Sequence, residues 1–243
     1  MRIDINCDVG EGLNNEHLLM PYITSCNIAC GGHFGNKNSI DETIELAIQN
    51  NVLIGAHPSF PDTENFGRKL INISDDAFKE SIQNQLNLFM NSLSFFHVKL
   101  HHIKPHGALY NSIAVDENLA ILFIDTIKKF TIDAYLYVPY NSVIERVAKE
   151  NNIKIKYEAF ADRNYNDDLS LVSRTYENAL ILDKKQVFLH VHRIIKENKV
   201  KTVSGKEVKI KADTFCVHGD TKNAIEIVKY VSRELKNHAI IVR

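Results

Sequence analysis

Neither glycine-rich phosphate signature, G-x-x-x-x-G-K-[ST] or G-x-G-x-x-G, occurs in the 243 residues. Gly31-Gly32 and Gly205 are isolated turn glycines. The chain therefore offers no recognisable nucleotide cradle of its own. It has no apolar run long enough to span a bilayer, and Met1-Arg2-Ile3-Asp4-Ile5-Asn6 contains no apolar signal stretch. Neither sign of charge dominates: 29 Lys+Arg stand against 30 Asp+Glu, for a net charge of -1. That balance argues against nucleic acid or a membrane surface as partner. Cys7, Cys26, Cys30 and Cys216 form no C-x-x-C pair and read as reduced thiols of a cytoplasmic protein. Linkers, low-complexity tracts and sequence repeats are absent too, so one domain over 1–243 is expected.

What is there alternates. Strands are expected at Arg2–Cys7, Tyr22–Ala29, Val52–Ala56, up to Ile103, Ala134–Val138, Ile153–Phe160, Thr214–Val217 and Ala239–Val242. Helices are expected from a capping box at Ser39-Ile40-Asp41-Glu42, from Ser74, near Asp116, and over Ser142–Asn151, Lys184–Asn198 and Thr221–Lys236. Phe78, Ile82, Leu86, Phe89, Leu93 and Phe96 recur at helical spacing, a stripe that packs on a sheet. A hairpin around Ser204-Gly205 interrupts the rhythm. Alternating strands and helices imply parallel βα units, and seven or eight of them at this length fit an α/β fold of the (β/α) barrel type.

In such barrels the loops after the strands hold the chemistry. Here those positions carry Asn6-Cys7-Asp8-Val9-Gly10-Glu11-Gly12, Asn27-Ile28-Ala29-Cys30-Gly31-Gly32-His33 and Gly55-Ala56-His57-Pro58. They continue with Lys104-Pro105-His106-Gly107-Ala108-Leu109-Tyr110-Asn111, Glu158-Ala159-Phe160-Ala161-Asp162-Arg163 and His218-Gly219-Asp220. The fourth of these reads as a turn crowded with functional groups, since proline ends a ladder and glycine permits a sharp bend. Any one cluster suits an ordinary polar loop; all six at one end of a barrel suit an enzyme.

With Phe66-Gly67-Arg68, these motifs resemble the LamB/YcsF family, that of the 5-oxoprolinase A subunit, formerly called a lactam utilisation protein. They stand in the family's order over nearly the whole chain. The resemblance implies a glycoside hydrolase/deacetylase type of (β/α) barrel. It also implies ATP-dependent cleavage of 5-oxo-L-proline to L-glutamate, performed with B and C subunits. Asn36 stands where the family usually has an aspartate, and Leu169, Asn178 and Asn223 stand where glycines are common. Those glycine losses are expected to alter loop geometry rather than chemistry.

A lactam is a stable amide, so its opening needs an activated water or carbonyl and stabilisation of the oxyanion. Asp8 and Glu11 are candidates for the general base, with a loop-capping carboxylate as the other reading of Asp8. His57 and His106 are candidates to orient water, donate to the leaving nitrogen or hold a metal. Lys104 is read as a phosphate or carboxylate ligand, or as a solvated strand-end lysine. Asp162-Arg163 is a substrate-binding pair or a structural ion pair, and Asp220 reads as the N-cap of the last long helix. Asn6, Asn27, Arg68, Tyr110, Asn111 and His218 complete the expected substrate-binding set, with Arg68 on a lid formed by the long connection from Pro58 to Ser74. Asp8, His33 and His57, on successive strands, have the residue types of a divalent-metal site. Three functions follow: the catalytic subunit of an ATP-coupled lactamase, whose nucleotide sits on or between partner subunits; a stand-alone metal-dependent amide or carbohydrate-ester hydrolase; and a non-catalytic scaffold subunit.

Overall fold

β1 alternates strictly, with Asp4, Asn6 and Asp8 between Ile3, Ile5, Cys7 and Val9, and the whole molecule is built on that alternation. The structure, a computed structural model, describes residues 2–242. Among these residues the ten strands are β1 Arg2–Val9, β2 Ser25–Ala29, β3 Leu53–His57, β4 His102–Ile103, β5 Tyr135–Pro139, β6 Ile155–Phe160, β7 Lys199–Lys201, β8 Glu207–Lys209, β9 Thr214–His218 and β10 Ile241–Val242. Among the described residues the eight α-helices are α1 Glu16–Leu19, α2 Lys37–Gln49, α3 Asp75–Phe95, α4 Gly107–Ile113, α5 Glu117–Ile127, α6 Val143–Glu150, α7 Lys184–Glu197 and α8 Ala224–Asn237.

Seven strands pair in parallel in the order β1-β2-β3-β4-β5-β6-β9, and β9 returns to β1, closing a barrel. The eighth strand of the ladder does not enter the ring: among the described residues, β10 pairs with Arg2 and Ile3 of β1 alone. β7 and β8 form the expected antiparallel hairpin apart from it. Side chains alternate across a strand, so the apolar set of β1 faces outward. There Ile3, Ile5, Cys7 and Val9 join Ile28, Ile54, Ile103, Val138 and Phe215 in the core beneath the helices. The α3 stripe lies on this layer: Phe78, Ile82, Leu86, Phe89 and Leu93 are buried, and Phe96 is partly so. Each such residue contributes roughly 1.5–3 kcal/mol.

Several expected boundaries move. Helix α2 starts two residues before Ser39, at Lys37, because Asn36 is the N-cap and accepts from Asn38 and Ser39 N–H groups. The amide at 36 thus has a structural use in this chain. The segment after His106 is not a turn but a helix, α4, with Leu109 and Tyr110 buried. Gly107 takes φ 56 and lies so close to Gly67 that a Cβ would stand 2.6 Å from its carbonyl oxygen. Asp220 does not cap α8, which begins after Asn223. Leu169 and Asn223 adopt φ values of 69 and 64, so the glycine-type backbone persists at both positions. Leucine pays about 1–2 kcal/mol for that conformation. Asn178, at φ -90, needs no such freedom.

Candidate active site

The inward positions of the barrel are polar, unlike the apolar layers usual in parallel sheets. At the bottom, Ser25, Tyr137 and Thr214 donate to Asp4 Oδ2 at 2.6, 3.1 and 2.5 Å. One layer up, Asn6 Nδ2 donates to Glu158 Oε1 at 3.0 Å and to Thr214 Oγ1 at 2.7 Å. Asn27 Nδ2 bridges Asn6 Oδ1 and Asp8 Oδ1, both at 2.7 Å. His102 Nε2 donates to Asn27 Oδ1 at 2.6 Å and stacks on Tyr137. This column supports the floor of a cavity of about 790 Å³ at the C-terminal end of the strands.

Lys104, directly after β4, is not a solvated strand-end lysine. Its ammonium is buried 2.8 Å from Asp8 Oδ1, 3.0 Å from Glu158 Oε1 and 3.0 Å from Cys216 Sγ. Burial alone opposes ionisation of Asp8, yet Lys104 and then His57 hold its carboxyl well below the usual range. Burial likewise works against the charge on Lys104, but Asp8, Cys216 and Glu158 together hold its ammonium well above the usual lysine range. Asp8 is therefore a carboxylate with one oxygen anchored and the other, Oδ2, directed at His57 Nε2 3.5 Å away.

Beside it lies a second group. Single ligand atoms of Glu11, His33, His57 and His106 all fall within 4.8 Å of one another, and all four residues are buried. His33 Nε2 is 2.9 Å from Glu11 Oε1, and His57 Nε2 is 3.0 Å from His106 Nδ1. Burial, reinforced by Asp8, raises the Glu11 carboxyl to about 7. Burial depresses His33 to about 3 and, with His33 and His57 nearby, holds His106 well below the ordinary imidazole range. Neutral imidazoles beside a carboxylate are a donor set that can hold a divalent metal. Of the expected metal set, His33 and His57 fall in the convergent group with Glu11 and His106, and Asp8 falls with Cys216 and His218.

The 58–74 connection is folded down over these histidines. The Phe66 carbonyl accepts from His106 Nε2 at 2.9 Å, the Gly67 carbonyl from Ala108 N–H at 2.9 Å, and the Phe66 ring meets those of His33 and His106 edge-on. Arg68 reaches the rim and pairs with Asp220, which Arg174 also binds at 3.1 Å. Asp162 and Arg163 are not an ion pair. Asp162 accepts from His218 Nδ1 at 3.0 Å, His218 N–H at 3.1 Å and Thr221 Oγ1 at 2.5 Å. Burial opposes its ionisation, but His218 and Thr221 keep its carboxyl low. The imidazole so oriented stacks on Phe160 and lines the cavity. Arg163 donates to the Val172 carbonyl at 2.6 Å, while its buried Nε has no partner.

Of the residues singled out in the sequence, Asp8, His57, Arg68, Lys104, His106, Tyr110, Asn111, Arg163 and His218 line the cavity. Asn6, Asn27 and Asp162 are completely buried and touch only protein groups. Glu158, Cys216 and Arg174 were not singled out. Glu158 shares its inward phase with Phe160 on β6, a signal present in its own motif, whereas nothing local marks Arg174.

A closed parallel barrel with titratable side chains gathered at the C-terminal end of its strands defines a (β/α)-barrel protein of the kind that also includes glycosidases. The LamB/YcsF profile matches residues 3–243, and the chain belongs to that family. It is 41% identical over 246 residues to the 5-oxoprolinase A subunit of Campylobacter jejuni, covering 98% of this chain and 96% of the relative. The Staphylococcus aureus protein of the same description is 39% identical over 248 residues, covering 100% and 99%. The crystal structure of the lactam utilization protein from Thermus thermophilus superposes with a TM-score of 0.93 at 32% identity, covering 100% of this chain and 99% of that one. Among the described residues, no helix is long and apolar enough to cross a membrane.

Proposed function

We propose that this chain is a single-domain cytoplasmic protein, the A subunit of an ATP-dependent 5-oxoprolinase, and opens 5-oxo-L-proline to L-glutamate together with B and C subunits. The support is its full-length likeness to curated relatives of that description, joined to one observation: a carboxylate, Asp8, kept ionised at the floor of the cavity by Lys104. In the reaction a water oxygen adds to the lactam carbonyl carbon, the C–N bond breaks, and the ring nitrogen takes up a proton. Asp8 accepts the proton of the attacking water. Glu11, His57 and His106, grouped beside it, act on the amide from the same end of the cavity. Arg163, with its unpartnered Nε, suits the substrate carboxylate, and Tyr110, Asn111 and His218 bound the remaining wall. Asn6, Asn27 and Asp162 act by positioning Asp8 and His218. ATP hydrolysis supplies the driving force. As the sequence has no phosphate-binding signature, the nucleotide sits on, or is shared with, the partner subunits.

Glutamate release is measured for the chain alone, then with ATP and candidate partner subunits. The expected result is no turnover alone, and glutamate and ADP formed together in the full mixture. Robust release without nucleotide or partner would sink the coupled mechanism. A second reading, a stand-alone metal-dependent amide or carbohydrate-ester hydrolase, is favoured by the convergence of Glu11, His33, His57 and His106. It requires nucleotide-free turnover that chelation removes.

A further inference from the structure

The geometry points to a divalent transition-metal site formed by Glu11, His57 and His106, with His33 holding Glu11 in place. The ring protons decide which atoms are free to bind. His57 Nδ1 lies 2.6 Å from the Lys104 carbonyl oxygen, and His106 Nε2 lies 2.9 Å from that of Phe66. A carbonyl oxygen only accepts, so each of these nitrogens carries its ring's proton. The other two nitrogens, His57 Nε2 and His106 Nδ1, then present lone pairs, and they face each other at 3.0 Å. Glu11 Oε1, a third acceptor, is 3.4 Å from His106 Nδ1 and 3.9 Å from His57 Nε2. Three buried ligand atoms thus converge, with Asp8 Oδ2 3.5 Å from His57 Nε2 on one side and His33 Nε2 donating to Glu11 Oε1 on the other.

Lone pairs so gathered repel one another until a proton or a cation stands between them. A proton on one ring bridges a single pair, His57 Nε2 and His106 Nδ1. An ion engages all three. Ligand atoms ~2.0–2.2 Å from one tetrahedral ion stand ~3.3–3.6 Å apart, and the three separations here bracket that spacing. The outer N–H of each ligating imidazole is already held by a backbone carbonyl, the support that orients metal-binding histidines. His33 plays a different part. Its ring is stacked 3.7 Å from that of His106 at 4°, so the two planes cannot aim at one point. Its Nε2 instead donates to Glu11 Oε1 at 2.9 Å. His57 and His106 line the cavity, so an ion held by them would border the substrate space. Two imidazoles and one carboxylate suit Zn²⁺, with Co²⁺ as a spectroscopic substitute.

This ion site does not depend on which amide the cavity takes. Its failure would leave the lactam reading intact, and inactivity on 5-oxoproline would leave the ion site intact. The full chain, stripped with chelator, is titrated with Zn²⁺ by calorimetry. One ion per chain is expected. His57→Ala and His106→Ala should lose binding, His33→Ala should weaken it about 10–100-fold, and Cys216→Ser should not change it. Circular dichroism checks the fold of each variant. Should the histidine variants fail to fold, X-ray absorption on the Co²⁺-loaded wild type still decides, with two imidazoles and oxygen expected in the coordination shell. Absence of saturable binding by the wild type, retention of full affinity in a folded His57→Ala/His106→Ala variant, or a sulfur ligand would each overturn the assignment.

Discussion

Lys104 Nζ lies 2.8 Å from Asp8 Oδ1 at the floor of the cavity, and the two side chains are 2% and 5% exposed. The same ammonium also serves Glu158, so removing it strands two buried carboxylates. Lys104→Met is expected to lower stability by about 3–5 kcal/mol, read from urea unfolding midpoints. Asp8→Asn should be much milder on the fold, because Glu158 still faces the lysine, while turnover by the assembled enzyme falls on the order of 10²–10⁴-fold. Near-wild-type turnover in a folded Asp8→Asn protein would remove Asp8 from the chemistry.

Asp162 fixes the His218 tautomer by accepting from Nδ1, so Nε2 is the nitrogen left for the cavity. Asp162→Asn substitutes a group that can donate, which favours the opposite tautomer. A raised KM is the expected outcome, since His218 bounds the substrate wall. A fall in kcat with KM unchanged would mean that His218 acts in the transition state instead.

Arg68 shares Asp220 with Arg174 at the rim, and its guanidinium lies 5.1 Å from the Phe66 ring centroid. Arg68→Lys keeps the charge and loses the planar fork, so steady-state kinetics should show a raised KM or lowered kcat. If Arg68→Ala behaves like wild type, the arginine is only a surface ion-pair residue.

A Cβ on Gly55 would stand 2.1 Å from His102 Nε2. Gly55→Ala must displace the imidazole that holds Asn27, and Asn27 in turn holds Asp8. We expect a loss of about 1–3 kcal/mol in thermal or urea unfolding, together with reduced turnover. An alanine variant as stable and active as wild type would show that the polar column tolerates rearrangement.

Much of the frame is legible in the sequence because it rests on local rules. The α3 stripe, the caps at Ser74, Asp116 and Ser142 and the motif at each strand end all follow from short-range spacing. Helix α4 is hidden because Pro105 and Gly107 are turn residues, and only the packing of Gly107 on Gly67 shows why the glycine opens a helix. The burial of Lys104 is illegible for a different reason. Its partners Asp8 and Cys216 lie 96 and 112 positions away, and a lone lysine at a strand end gives no hint of them. Arg163 misleads because adjacency to Asp162 suggests a pair, while the fold assigns that carboxylate to His218.

The alternation of β1 makes its pairing register a single point of failure for two properties at once. Ile3, Ile5, Cys7 and Val9 glue the ring to its helices, while Asp4, Asn6 and Asp8 organise the cavity floor. Sliding this strand by one residue against β2 or β9 would drive carboxylates into the helix layer and leave isoleucines facing Lys104. A chain mispaired in this way could not be an inactive but stable protein. Quality control in folding and competence in chemistry are therefore read from the same eight residues of β1.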